Sequence, residues 1–125
     1  SNSAFASFFG EAIVSGALGI IKICAYIVFF ASLTEALRII PFEIPKAAEG
    51  ALSAVLEFTS GCRMGAEIGG KTGIALSSFA IGFSGISVLL QGASFASSAG
   101  FSLRKTAAAK LLQGTICAIA AFFLI

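Results

Sequence analysis

The sequence predicts an all-α, polytopic helical membrane protein with about three to four transmembrane segments and a re-entrant or broken-helix hairpin. Three observations carry that expectation. The 125 residues are 58% hydrophobic and 11% charged, with mean hydropathy +1.02, whereas ordinary soluble domains carry about a quarter charged residues. Apolar runs recur at the length of a spanning helix, about 20 residues. Another run is too short to cross and ends at Leu56-Glu57-Phe58-Thr59-Ser60-Gly61-Cys62, which sets a carboxylate, two hydroxyls and a glycine where a helix would stop.

The same composition narrows the function. Residues 1–125 are read as a single transmembrane domain, with no room for a catalytic domain outside the membrane. Ser1-Asn2-Ser3-Ala4 resembles a tag-cleavage scar or an internal cut, so the chain is read as a fragment, and its start does not read as a signal peptide. The net charge is +2 and the eight Lys and Arg are scattered, so no basic face for nucleic acid is expected. Cys24 and Cys117 lie in apolar runs and Cys62 sits alone in a polar stretch. With no histidine present, neither a disulfide framework nor a metal or cofactor site is expected. No paired nucleophile and base suggests an enzyme.

Residues 1–10 carry Phe5, Phe8 and Phe9 and suit an interfacial lead-in, the rings lying near lipid headgroups. The first span runs from Ala12 to about Leu37, opened by Glu11 and closed by Glu35 and Arg38. Lys22 lies deep in it and either snorkels or pairs with an intramembrane carboxylate, Glu57 being the best partner. Pro41 and Pro45 forbid continuous helix through Ile39–Lys46, which is expected as an interfacial connector. Helix then resumes from Ala47 to about Thr59. That length of roughly 20 Å falls short of a hydrocarbon core about 30 Å thick. It predicts a re-entrant half-helix, followed by non-helical, glycine-dense backbone over Cys62–Gly73.

A third segment, Ile74 to about Gln91, holds Gly82-Phe83-Ser84-Gly85 at its centre, where unwinding or close helix packing is expected. Ser77, Ser84, Ser87 and Gln91 form one polar stripe if that helix is regular. A small-residue connection follows from Gly92 to Thr106, and the last span runs Ala107–Ile125. In it Lys110, Gln113 and Cys117 share a face, with Lys110 near enough to the helix start to snorkel. With a re-entrant second helix, Arg38, Lys46, Arg63 and Lys71 share one side and Arg104 and Lys105 the other. A crossing helix also gives four against two, so positive charge does not decide topology.

Leu56-Glu57-Phe58-Thr59-Ser60-Gly61-Cys62, then Ser78-Phe79-Ala80-Ile81-Gly82-Phe83-Ser84-Gly85-Ile86-Ser87-Val88 with Gln91, then Lys110-Leu111-Leu112-Gln113-Gly114, form an ordered set. From about Glu11 onward the chain resembles the C-terminal half of the sporulation integral membrane protein YlbJ family, whose members contain nucleoside-recognition, or Gate, domains. The resemblance implies one half of a longer two-repeat transporter in the cell or forespore membrane of an endospore-forming bacterium. It implies distant kinship with concentrative nucleoside transporters and the Gate regions of ferrous iron transporters. It further implies export of a small anionic metabolite, dipicolinate being the leading candidate.

The residues themselves suit a polar or anionic substrate. A helix restarting after Gly85 would offer the N–H groups of Ile86, Ser87 and Val88 to a carboxylate. Ser84, Ser87 and Gln91 would add hydrogen bonds, Thr59 and Ser60 would complete the wall, and Lys110 joins the set as a cation. Phe58 or Phe83 would offer an aromatic face. Glu57 is either a wet helix end or a buried group with a purpose. An ionised Glu57 repels an anion, so it is expected to pair with Lys22 or Lys110 or to be protonated by burial. The expected partners are thus the bilayer, a small-molecule substrate, and a second copy or missing half. The alternative is a membrane assembly or scaffold protein whose glycines contact other helices in a dry interface.

Overall fold

The computed structural model describes residues 2–41, 43–96 and 99–125. Ser1 of the lead-in, Phe42 of the proline connector, and Ser97 and Ser98 of the small-residue connection lie outside the described residues. The described chain is all-α: α1 (Asn2–Ile39), α2 (Lys46–Leu56), α3 (Phe58–Ile68), α4 (Gly70–Phe83), α5 (Gly85–Ala96) and α6 (Leu103–Leu124). Asn2–Ile39, Gly70–Ala96 and Leu103–Leu124 are long and apolar enough to cross a membrane. The protein is therefore a helical membrane protein with three candidate spans, and α2 with α3 makes the additional, shorter layer.

α1 has no proline before the Ile39–Pro45 connector, so the expected lead-in and first span are one continuous helix. α2 starts where Pro45 fixes its own φ at −54° and its carbonyl accepts from the Ala48 and Glu49 N–H groups at 2.8 and 3.0 Å. It stops at Glu57, whose extended backbone (φ −151°, ψ 125°) takes it out of the helix. The chain then folds back. A methyl group on Gly61 would stand 2.5 Å from Ala54 Cα, and one on Gly50 would stand 3.2 Å from Ile68 Cδ1 and 3.6 Å from Met64 Cβ. α2 and α3 are thus antiparallel legs of a helical hairpin, each about 16 Å long, with the tip at Glu57.

Two sequence expectations are corrected here. Gly61 does not end a helix: it is buried inside α3, where its missing side chain lets the two legs approach. The glycine-dense stretch 62–73 is also mostly helical, interrupted only at Gly69. Gly69 and Gly70, with φ of 69° and 60°, turn the chain into α4, a conformation glycine adopts without steric penalty. Gly65 and Gly73 face each other across that turn, and Ser77 Oγ donates to the Cys62 carbonyl at 3.5 Å. Polar glycine-rich sequence therefore codes close antiparallel packing, which the composition alone does not distinguish from loop.

α4 ends where the hairpin tip lies. A methyl on Gly85 would stand 3.1 Å from Glu57 Cα and from Phe58 N, so the break between α4 and α5 rests against the break between α2 and α3. α5 continues beside α1, with Lys22 Nζ 3.5 Å from the Ser94 carbonyl and 4.8 Å from the centre of the Phe95 ring. Lys22 is therefore level with the last turn of α5, where a cation is favoured by the helix dipole and by an aromatic face. α6 starts at Ser102, whose hydroxyl accepts the Lys105 N–H at 3.5 Å. It packs on α4 at a glycine pair, a methyl on Gly82 standing 2.9 Å from Gly114 Cα.

The architecture gives two predictions. With the hairpin folded back, Lys46→Cys and Lys71→Cys should react with an impermeant maleimide from one face of a vesicle and Lys105→Cys from the other. Labelling of Lys46→Cys and Lys71→Cys from opposite faces would show α2 and α3 crossing together. Gly82→Leu should lower stability by about 1–3 kcal/mol through overpacking against Gly114, read as a fall in melting temperature in detergent. Gly16→Leu, where nothing lies within 4 Å, should leave it close to that of the parent.

Candidate functional site

The local sequence explains the hairpin tip. Glu57 occupies the N-cap position of α3, and its extended backbone frees its side chain to turn back over the first turn. Oε1 accepts the Thr59 N–H at 2.9 Å, and Oε2 accepts the Ser60 N–H at 2.8 Å and the Ser60 hydroxyl at 3.1 Å. Its own N–H closes α2 by donating to the Ser53 carbonyl at 2.9 Å, and its carbonyl accepts the Gly61 N–H at 3.1 Å. One residue therefore ends one helix and starts the next. At 1% exposure it meets the polar groups that bulk water would otherwise satisfy.

This arrangement replaces the lysine pairing expected from sequence. Lys22 is engaged at the end of α5. Lys110 stands one turn before Gly114 on α6, half-buried, and makes no hydrogen bond or ion pair with Glu57 among the described residues. The Glu57 carboxyl is met instead by the N–H groups of the first turn of α3. Thr59 and Ser60 hold that cap from the beginning of α3, not from the end of a preceding helix as expected.

The second break falls within the expected 82–85 window. Ser84 adopts the left-handed conformation (φ 72°, ψ −5°), with its N–H donating to the Ala80 carbonyl at 2.8 Å and its hydroxyl to the Ile81 carbonyl at 3.2 Å. A non-glycine residue there costs about 1–2 kcal/mol, which these two bonds offset. Gly85, at φ 78°, has to be a glycine for two reasons: the positive φ and the backbone of Glu57 and Phe58 pressed against it. The break splits the expected polar stripe. Ser77 points to α3, while Ser87 and Gln91 lie one turn apart in α5, joined by a bond from Gln91 Nε2 to Ser87 Oγ of 3.2 Å. That bond supplies the partner a buried amide requires.

The structure therefore brings Glu57, Ser60, Ser84 and the first turn of α5 to one junction, with Ser87 and Gln91 leading away along α5. It leaves Thr59 exposed beside the junction and Lys110 on another helix. Glu57, Ser87 and Gln91 are 1%, 0% and 8% exposed, so all three are shielded from solvent in this structure.

A groove of about 560 Å³ between α1 and α3 has Glu57, Thr59 and Ser60 at its inner end. Two lining residues, Glu35 and Arg63, form an ion pair that the sequence did not single out. Their signal lay in the tertiary contact of residues 28 positions apart, which no local pattern reports.

Glu57→Ala should destabilise the protein by about 1–3 kcal/mol, because it strands buried N–H groups at the start of α3. Glu57→Asp, a strong N-cap in its own right, should recover much of the loss. Equal melting temperatures for the parent and Glu57→Ala would remove the capping role. Compared with known protein families, with curated proteins and with solved structures, the chain matches none of them.

Proposed function

We propose that this chain is a membrane transporter, or half of one, for a small polar or anionic metabolite. The observation that carries the reading is the contact of two helix breaks, Gly85 resting on Glu57 and Phe58. Irregular backbone at membrane depth is tolerated only where protein or a cavity surrounds it, and transporters use such broken helices to aim helix ends at a substrate. Four helix ends meet here: the C-termini of α2 and α4 and the N-termini of α3 and α5. Glu57 already occupies the N-terminus of α3. The start of α5, with Ser84, Ser87 and Gln91 beside it, is the end left for an anionic group.

This division also answers the conflict between an anionic substrate and Glu57, since the carboxylate is held by its own three donors. The resemblance to the YlbJ family, with dipicolinate or a nucleoside as substrate and a role in sporulation at the bacterial cell or forespore membrane, agrees with that chemistry. A scaffold role is less well supported, because Gly82 and Gly85 spend their close contacts inside this chain. α1 and α6 are buried over only 6% of their apolar windows, which leaves faces for lipid, for a second copy or for a missing half.

Uptake of dipicolinate and of nucleosides into proteoliposomes holding the full-length protein tests the reading. Gln91→Ala and Ser87→Ala should each lower the rate roughly tenfold or more, as loss of a buried polar contact to substrate would. No uptake of either compound by the parent, or equal rates in parent and both variants, would refute it.

A further inference from the structure

Arg63 stands halfway along α3, and its guanidinium pairs with Glu35 of α1. The two side chains are 49% and 53% exposed, and they line the groove whose inner end is Glu57, Thr59 and Ser60. On the transport reading the hairpin tip lies near the bilayer midplane, which puts a pair one and a half turns from it at hydrocarbon depth. Against lipid tails a half-exposed ion pair is expensive, whereas facing a water-filled cavity it is the usual arrangement. The mouth of the same groove is charged as well. Arg38 bonds Glu49 at 2.6 Å and approaches Glu35 at 3.5 Å and Glu67 at 4.0 Å, tying both hairpin legs to the end of α1.

We propose that the groove between α1 and α3 is a water-filled entry vestibule leading to Glu57, and that the Glu35–Arg63 ion pair is its gate. The proposal rests on the transport reading for its purpose and for the depth of the tip, and on the groove's lining and its ion pair for its place. With the pair formed, α3 is held to α1 and the junction stays closed, which fits the burial of Glu57. With the pair broken, the hairpin is free to move from α1, which widens the path by which water or an anion attracted by Arg63 reaches Thr59, Ser60 and the junction behind them.

Cysteine accessibility tests this without an identified substrate. The chain carrying Thr59→Cys, with Cys24, Cys62 and Cys117 replaced by serine, is exposed in proteoliposomes to a charged, impermeant methanethiosulfonate supplied on both faces. Val28→Cys is the control, on the 64% exposed outer face of α1 near the same depth. Thr59→Cys should react at least roughly tenfold faster than Val28→Cys, the advantage of a wet site over a lipid-facing one. Adding Glu35→Gln or Arg63→Gln should raise the Thr59→Cys rate severalfold more, and two variants guard against one failing to fold, as judged by melting temperature.

Equal rates at Thr59→Cys and Val28→Cys would overturn the vestibule, and rates unmoved by both gate substitutions would overturn the gate. Labelling as expected in a protein that takes up neither dipicolinate nor nucleosides would sink the transport reading alone. Uptake with a slow Thr59→Cys would sink the vestibule alone.

Discussion

The capping of α3 by Glu57 is the interaction on which the remaining structure depends. A chain that reverses in the interior exposes helix ends where solvent does not reach, and each unmet backbone group there costs about 1–3 kcal/mol. Glu57 meets the problem with one side chain and one peptide unit, giving two oxygens to Thr59 and Ser60 and its own N–H to Ser53. A carboxylate, unlike a serine hydroxyl, has two oxygens to engage separate donors. Because the cap is internal to the hairpin, the tip is polar yet self-contained.

A self-contained tip can be packed directly against another chain segment, and the glycines make that packing close. Gly61 admits Ala54, Gly65 faces Gly73, Gly82 faces Gly114, and Gly85 admits the tip itself. Lipid tails are as apolar as leucine, so burying large side chains gains little between membrane helices, and backbone proximity supplies the attraction instead. The buried apolar core is accordingly sparse: Phe30, Met64, Phe83 and Leu89 with Ala54 and Ala80. The junction of the two breaks is thus a product of small-residue packing, and its chemistry is a product of what the breaks expose.

Charge is arranged around that junction in layers. Glu57 is satisfied at the centre, Glu35 and Arg63 form the next pair outward, and Arg38 with Glu49 and Glu67 closes the mouth. On the opposite side Lys22 marks the end of α5, with Arg104 and Lys105 at the start of α6. The charged side chains thus succeed one another from the hairpin tip toward the Pro45 end of the hairpin.

Composition and apolar run length were enough to determine the class of the molecule, because a spanning helix needs a length of apolar residues that nothing else in this chain requires. The short segment before Glu57 and the Gly82–Gly85 window were also legible, as a run too brief to cross and as glycines where a span should be regular. Local sequence did not determine where the first break falls. It read Gly61 as a stop and residues 62–73 as loop, since a glycine that permits turning and a glycine that permits contact look alike until the neighbour is known. It also left Lys22 either to snorkel or to pair with Glu57, because depth along a helix gives no azimuth or partner. Tertiary structure decided that the cap needs no lysine, that the two breaks touch at Gly85, and that Glu35 meets Arg63, all of them consequences of antiparallel folding that sequence spacing does not encode.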